Sequence, residues 1–276
     1  MLTNKKLDFA HKTILTSSML REIYKYPREF FRLLYQNFSN GIICGADYFI
    51  EDGNLFLSAG VIRLDGDFYF LENNLNISAL AEKNKLEIDN TYYISLEKNS
   101  RQVEPCLTEN NFVVTFEKEN KFPALGNFFF MGANKFALPA LNFGKNMKNP
   151  FENIFLRTVL NLSEVEFAAE GGATFHPLLF RLVKDFLTDK KYKTPFDFAI
   201  LTQILNHGVI SLQTIKNYIV VEDANFNFES CTRTALFEEF CACLFTSKFN
   251  PSYAAPEAEI ENTGMRRTSR PYGKLL

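Results

Sequence analysis

Three histidines, five cysteines and a scatter of carboxylates are the residues of this chain that carry chemistry. His11, His176 and His207 stand far apart, and none falls in an H-x-x-x-H or H-x-x-E-H frame that would put two imidazoles on one metal. Cys241-Ala-Cys243 is a C-x-C pair on an expected helix, which turns the two sulfurs about 200° apart and spoils chelation. Buried thiols that pack as small hydrophobes are the reading for these two. Cys44 sits in GIICGAD, but nothing next to it in sequence would depress its pKa, and there is no G-x-S-x-G elbow elsewhere. Glu164, Glu166 and Glu170 cluster at the end of an expected helix and read as a solvated face. Asp47, Asp65 and Asp67 read as turn residues. No phosphate cradle of the G-x-x-x-x-G-K-[ST] or G-x-G-x-x-G type occurs. The expectation is a protein with no catalytic residues, no cofactor and no metal.

One segment competes for a nucleic-acid role. Phe198–Ile219, FAILTQILNHGVISLQTIKNYI, has the outline of a helix-turn-helix with Gly208 in the turn. Its second helix offers Gln213, Lys216 and Asn217. A single lysine, flanked by Glu222 and Asp223, makes no basic patch, so a plain helical hairpin is favoured. The arginines Arg266, Arg267 and Arg270 suit either nucleic acid or an acidic protein partner.

The elements that must carry these residues follow from periodicity. Ser17–Phe38 has helical spacing, with Ser17 or Ser18 as cap and Pro27 kinking or splitting it. Asn40–Ile77, NGIICGADYFIEDGNLFLSAGVIRLDGDFYFLENNLNI, alternates apolar and polar residues between glycine corners and reads as a compact β-meander. Gly41, Gly45, Gly60 and Gly66 are the corners where a Cβ is expected to clash. Ser78–Lys85 reads as a loop or short helical turn, Leu86–Glu97 and Asn111–Glu117 as strands, and the polar stretch between them as a hairpin connection. β structure continues to about Phe136. Helices are expected over Phe151–Glu170 (stopped by Gly171-Gly172), Thr174–Thr188, Pro195–His207, Ser211–Val221 and Ser230–Thr246.

The organisation expected is therefore α+β: an N-terminal helix plus a small antiparallel β-module, then an all-helical bundle. An extended arm covers 1–16, the helix and β-module 17–136, a linker 137–149, the bundle 150–249 and a flexible tail 250–276. The chain has 276 residues, 46% of them apolar, which suits two globular domains. Thirty Phe and no Trp reflect in part an AT-rich coding bias. A net charge of −2 provides no field toward nucleic acid or anionic membrane. No apolar run approaches the ~20 residues of a membrane span, and MLTNKKLDFAHKTIL has no signal-peptide core. Cys44, Cys106, Cys231, Cys241 and Cys243, an odd number, fit thiols kept reduced in a cytoplasm.

The meander resembles a module of phage tail and baseplate-associated proteins, including those of phage-like contractile injection particles. The residues carrying the resemblance are Gly41-Ile42-Ile43-x-Gly45, then Asn54-Leu55-x-Leu57-Ser58-x-Gly60-x-Ile62, then Gly66 and Tyr69. It spans about residues 40–77, with a helix before it and a strand pair after it. The resemblance implies a structural adaptor or docking protein that holds neighbouring tail or fibre proteins, self-associates in a symmetric assembly, and passes from the cytoplasm into a particle. A DNA-associated regulatory or packaging protein using 198–219 is the alternative, and a cell-wall hydrolase built from distant carboxylates is a second.

Overall fold

The computed structural model describes residues 14, 16–104, 107–120, 124–140, 151, 157–191 and 193–246. The expected arm (apart from 14 and 16), residues 141–149 of the expected linker and the expected tail lie outside the described residues.

The first helix, α1 (Ser17–Leu34), starts at Thr16, whose hydroxyl accepts from the Met19 amide; the cap is neither of the two serines. Pro27 does not split it. No residue of α1 is buried, so the carbonyl that Pro27 leaves without a donor stays open to water.

Six short strands follow: β1 (Gly41–Gly45), β2 (Tyr48–Glu51), β3 (Asn54–Leu57), β4 (Gly60–Leu64), β5 (Asp67–Leu71) and β6 (Leu75–Asn76). They are not a meander. They form two antiparallel three-stranded sheets, ordered β1-β4-β5 and β2-β3-β6. The β2–β3 hairpin is thus inserted between the paired strands β1 and β4. The switch between sheets occurs at Gly45 and Ala46, which take left-handed φ values of 64° and 51° and turn the chain sharply. Alternation along a strand reports which face is buried, not which strand is its neighbour. Both tight hairpins carry Asp-Gly: Asp52-Gly53 and Asp65-Gly66 have positive φ at both residues, as a type I′ turn requires.

Helix α2 (Ile77–Lys83), capped by Asn76, takes the place expected for a short helical turn. Beyond it β7 (Thr91–Glu104) and β8 (Leu107–Glu117) pair from Tyr93↔Glu117 to Glu104↔Leu107, with one register shift between Gln102 and Glu104. The polar stretch expected as a connection is therefore mostly strand. Residues 97–100 of β7 are already exposed, and pairing between strands does not require the apolar alternation that a buried face imposes.

The largest correction is at Phe151–Glu170. Instead of a helix, Thr158–Asn161 forms a strand, β11, in a five-stranded sheet with β9 (Ala124–Phe129) and β10 (Phe136–Ala137), ordered β10-β11-β9-β7-β8. Thr158, Val159 and Leu160 are all buried, and a strand covered on both faces gives a continuous apolar run rather than alternation. A 3-10 turn at Ala133–Lys135 leads into β10, which pairs with β11 in parallel. After β11 the backbone runs back along β1. The Ile42 amide donates to Glu166 O (2.9 Å), and Ala168 donates to Ile42 O (2.7 Å). Gly171-Gly172 closes a turn between Phe167 and Thr174, which bond to each other.

Four helices complete the fold: α3 (Pro177–Asp189), α4 (Pro195–His207), α5 (Leu212–Glu222) and α6 (Arg233–Thr246). Their starts follow local chemistry. Thr194 and Asp197 form a capping box on α4, Ser211 caps α5, and Gly208 ends α4 in the left-handed region with φ 74°. One apolar core runs from Ile42 through Leu125, Leu160 and Phe175 to Leu244, so sheets and helices bury against each other. The architecture is α+β.

A buried ionic tie holds the helices together. Lys190 Nζ donates to Asp197 Oδ2 (2.9 Å) and to Leu244 O (2.9 Å), and Tyr218 donates to Asp197 Oδ1 (3.3 Å). Asp197 is fully buried. Lys190→Met leaves that carboxylate without its counter-charge and is expected to cost about 3–5 kcal/mol. Adding Asp197→Asn, which removes the buried charge and keeps a side-chain oxygen for the Thr194 cap, is expected to recover part of the loss. Urea unfolding of both variants measures this, and equal stabilities of wild type and Lys190→Met would contradict it.

Candidate docking surface

The four expected corner glycines all lie in the first two sheets, but not for one reason. Gly45 and Gly60 face each other across β1 and β4. A Cβ on Gly60 would run into the backbone of Ala46 and Cys44, and one on Gly45 into Ala59. Gly41, with φ 130°, lies against the Glu166 carbonyl. These three let backbone meet backbone. Gly66 is different: its φ of 85° serves the β4–β5 turn, and the space around it is open.

A histidine clasps this junction to α3. His176 is fully buried and caps α3: its Nδ1 accepts from the Leu178 amide (3.1 Å), and its Nε2 faces the Ala46 carbonyl (3.2 Å). The ring must therefore be neutral, with the proton on Nε2. Burial drives its pKa down to about 4, against the raising effects of the Ala46 carbonyl and Asp47. Outside the ring, Arg181 donates to Asp47 Oδ2 (3.0 Å). Arg233 does similar work: it donates to Ser163 O, Val165 O and Thr174 O and stacks on Phe175, while burial lowers its pKa.

The other expected chemical groups are not gathered. Cys44 is exposed on β1, while Cys241 and Cys243 are buried in α6, and burial pushes both thiols up, Cys243 to about 12. His207 ends α4 and His11 lies outside the described residues. Glu164 accepts from the amide and hydroxyl of Thr234, fastening the start of α6 rather than facing solvent on a helix. Among the described residues no three His, Cys, Asp or Glu side chains come together as a metal site. Gln213 donates to Asn217 (2.8 Å), and Lys216 lies over Phe228 at 5.9 Å, so the expected base-reading side chains of α5 are engaged with protein groups.

The surface that stands out is α1 on β5. Phe31 and Tyr35 meet Phe68, and Arg28 donates to Asp67 (2.5 Å) and Tyr24 (2.9 Å). The rest of the apolar side faces outward, with Phe30 56% and Leu33 57% exposed. Phe70 on the outer face of β5 is 63% exposed. Sequence periodicity located this helix; nothing in a spacing pattern tells which apolar face finds a partner within its own chain. Among the described residues β5 and β8 are edge strands of their sheets. Among the described residues no helix is long and apolar enough to cross a membrane.

No protein family matches the chain, and no curated protein does. Among solved structures, the fold is similar at a low level to the crystal structure of TssK, with TM-score 0.34 and 9% identity over 87% of this chain and 71% of that one. It is also similar to a chain of the TssK-TssF-TssG baseplate subcomplex of type VI secretion, with TM-score 0.28 and 8% identity over 89% of this chain and 100% of that one. A likeness of this size does not extend to function.

Two outcomes are expected at this junction. Gly60→Val is expected to cost about 3 kcal/mol or more, because two backbones must part. Gly66→Ala is expected to cost only about 1–2 kcal/mol of left-handed strain. Thermal melts of the pair should separate widely, and equal melts would refute the distinction. His176 supplies the second. Its folded pKa near 4 lies below the ordinary 6.5. The unfolded chain therefore binds the extra proton between those values. Stability is fully present above about pH 6.5 and falls as pH drops toward 4, by on the order of 3 kcal/mol. His176→Gln is expected to remove this slope, as read from urea midpoints across that range.

Proposed function

We propose that this chain is a structural component, an adaptor or docking protein, of a phage or phage-like contractile tail or baseplate. The observation that carries the reading is α1: an amphipathic helix mounted on the β5 edge with the outward part of its apolar face left uncovered by the rest of the described chain. The mount beneath it is firm, since the connection 35–40 is bonded through Ser39 to Ala169 O and leads into β1, where three backbone segments are locked together. Rigid presentation of an apolar helix and open sheet edges suits docking of neighbouring proteins. The resemblance of residues 40–77 to tail and baseplate modules names the setting. The corner glycines support the site indirectly, by holding the platform in shape.

The nucleic-acid alternative finds less support. Lys216 is the one lysine of the α4–α5 hairpin, and it is engaged with Phe228. Sedimentation tests the proposal directly. Particles pelleted from the source organism and stripped of loosely bound protein are expected to retain this chain in fixed ratio to their other components. A chain found wholly in the low-mass fraction, while intact particles pellet, would end the reading. Gly60→Val is expected to lose particle association and Gly66→Ala to keep it.

A further inference from the structure

The β1-β4-β5 sheet and the five-stranded sheet each end in an edge strand, and a trough runs between these two strands, β5 and β8. Consecutive residues line both of its sides, Phe68 to Leu71 on β5 and Phe112 to Val114 on β8. Successive side chains of a strand point to opposite faces, so a wall of consecutive residues is the edge of the strand. Among the described residues the peptide groups along those edges have no strand partner. The floor is apolar: Leu57 and Leu125 are buried beneath it, and Tyr69 stands edge-on to Phe112 at 4.6 Å. This part encloses 530 Å³, within the range of pockets that hold a ligand.

Through Leu64, Tyr69, Leu96 and Phe112 the trough continues into a second part of 460 Å³ with a charged rim. Asp65, Glu97 and Glu117 line that end, with Lys98 beside them, and Glu72 stands at the apolar end. The carboxylates of Asp65, Glu72 and Glu97 have no ion pair or hydrogen bond among the described residues. Thr115, in the same wall, has a buried hydroxyl that is also without a partner there. Such a hydroxyl costs stability until a donor or acceptor reaches it. The trough is thus shaped for an extended segment that brings apolar side chains to one end and cations to the other.

The chain carries a segment of that kind. Residues 262–276, NTGMRRTSRPYGKLL, hold Arg266, Arg267, Arg270 and Lys274, no acid, and the apolar Tyr272, Leu275 and Leu276. They lie outside the described residues. The 15 residues 247–261, which connect them to the end of α6, reach at most about 50 Å when extended. A compact chain of 276 residues is about as wide.

We infer that residues 262–276 seat in the trough between β5 and β8 of their own molecule, with Tyr272 in the apolar part and the arginines against Asp65 and Glu97. The tether makes this contact intramolecular and favours it over the same contact between copies. While the segment is seated it screens the edges of β5 and β8, and a neighbour that adds a strand at either edge must displace it first. Occupancy of the trough does not depend on the particle reading.

The chain has no Trp, so Tyr272→Trp gives the full-length protein a single fluorescent reporter. Its emission is expected to be blue-shifted and poorly quenched by acrylamide. Adding Glu72→Lys and Glu97→Lys, both at exposed positions, is expected to move it to that of a solvated indole with circular dichroism unchanged. Arg266→Glu, Arg267→Glu and Arg270→Glu together are expected to do the same. Joining the two sets is expected to restore the blue shift, which separates charge pairing from misfolding. A solvated indole in Tyr272→Trp alone would overturn the inference. So would a blue shift that neither set of reversals moves, or one that the joined sets fail to restore. A blue shift that fades on dilution would seat the segment on another copy and overturn it equally. A solvated indole that shifts when mixed-sequence duplex DNA is added at low salt would give the arginines to nucleic acid instead.

Discussion

The close backbone contact along β1 is the constraint on which the rest of this structure depends. Ile42 exchanges hydrogen bonds with Glu166 and Ala168 on one side while β1 pairs with β4 on the other. Gly41, Gly45 and Gly60 make room for it by having no Cβ where backbone passes. The consequence reaches in three directions. Toward the N-terminus, the chain enters from α1 through Ser39, whose amide donates to Ala169 O. Toward the sheets, Ala46 starts the switch into β2 and β3. Toward the C-terminus, the segment returning past Thr174 delivers His176, which opens α3.

Polar groups that the fold buries are each given a definite state by their neighbours. His176 is held neutral between an amide that donates to it and a carbonyl that accepts from it. Asp197 is held beside Lys190 and Tyr218. Arg233 spends its donors on three carbonyls of the 163–174 segment. Such groups add little net stability compared with an apolar filling, but removing one partner is costly, so they narrow the set of arrangements the core tolerates. Their common effect is to fix how the helices meet the sheets.

Against this rigid body, α1 is the exception. None of its residues is buried, and its flank on β5 carries a salt bridge from Arg28 to Asp67. An exposed ion pair of that kind contributes at most about 1 kcal/mol. A helix so presented is suited to make its main contacts with other molecules. That division, a locked platform and an unspent apolar helix, connects the packing to the proposed docking role.

Helices with caps and one-sided apolar spacing could be read from the residues alone. Thr194 to Asp197, Gly208 and Ser211 mark α4 and α5 because capping is satisfied within a few residues. The Asp-Gly hairpins were equally local. Long-range pairing was not. Whether β1 neighbours β2 or β4, and whether Thr158–Asn161 is helix or central strand, depends on partners 15 or more residues away. A buried strand and a buried helix share one apolar signature. The polar continuation of β7 and β8 shows the converse case, pairing without an apolar alternation in the sequence to announce it. The four corner glycines were visible in the residues, but only the tertiary structure separated the three that admit backbone contact from the one that serves a turn. The face of α1 divides in the same way. Its amphipathic pattern belongs to the sequence by itself, because spacing sets which side is apolar. That this side remains uncovered was decided by the tertiary structure, because burial depends on which surfaces the rest of the chain brings to it.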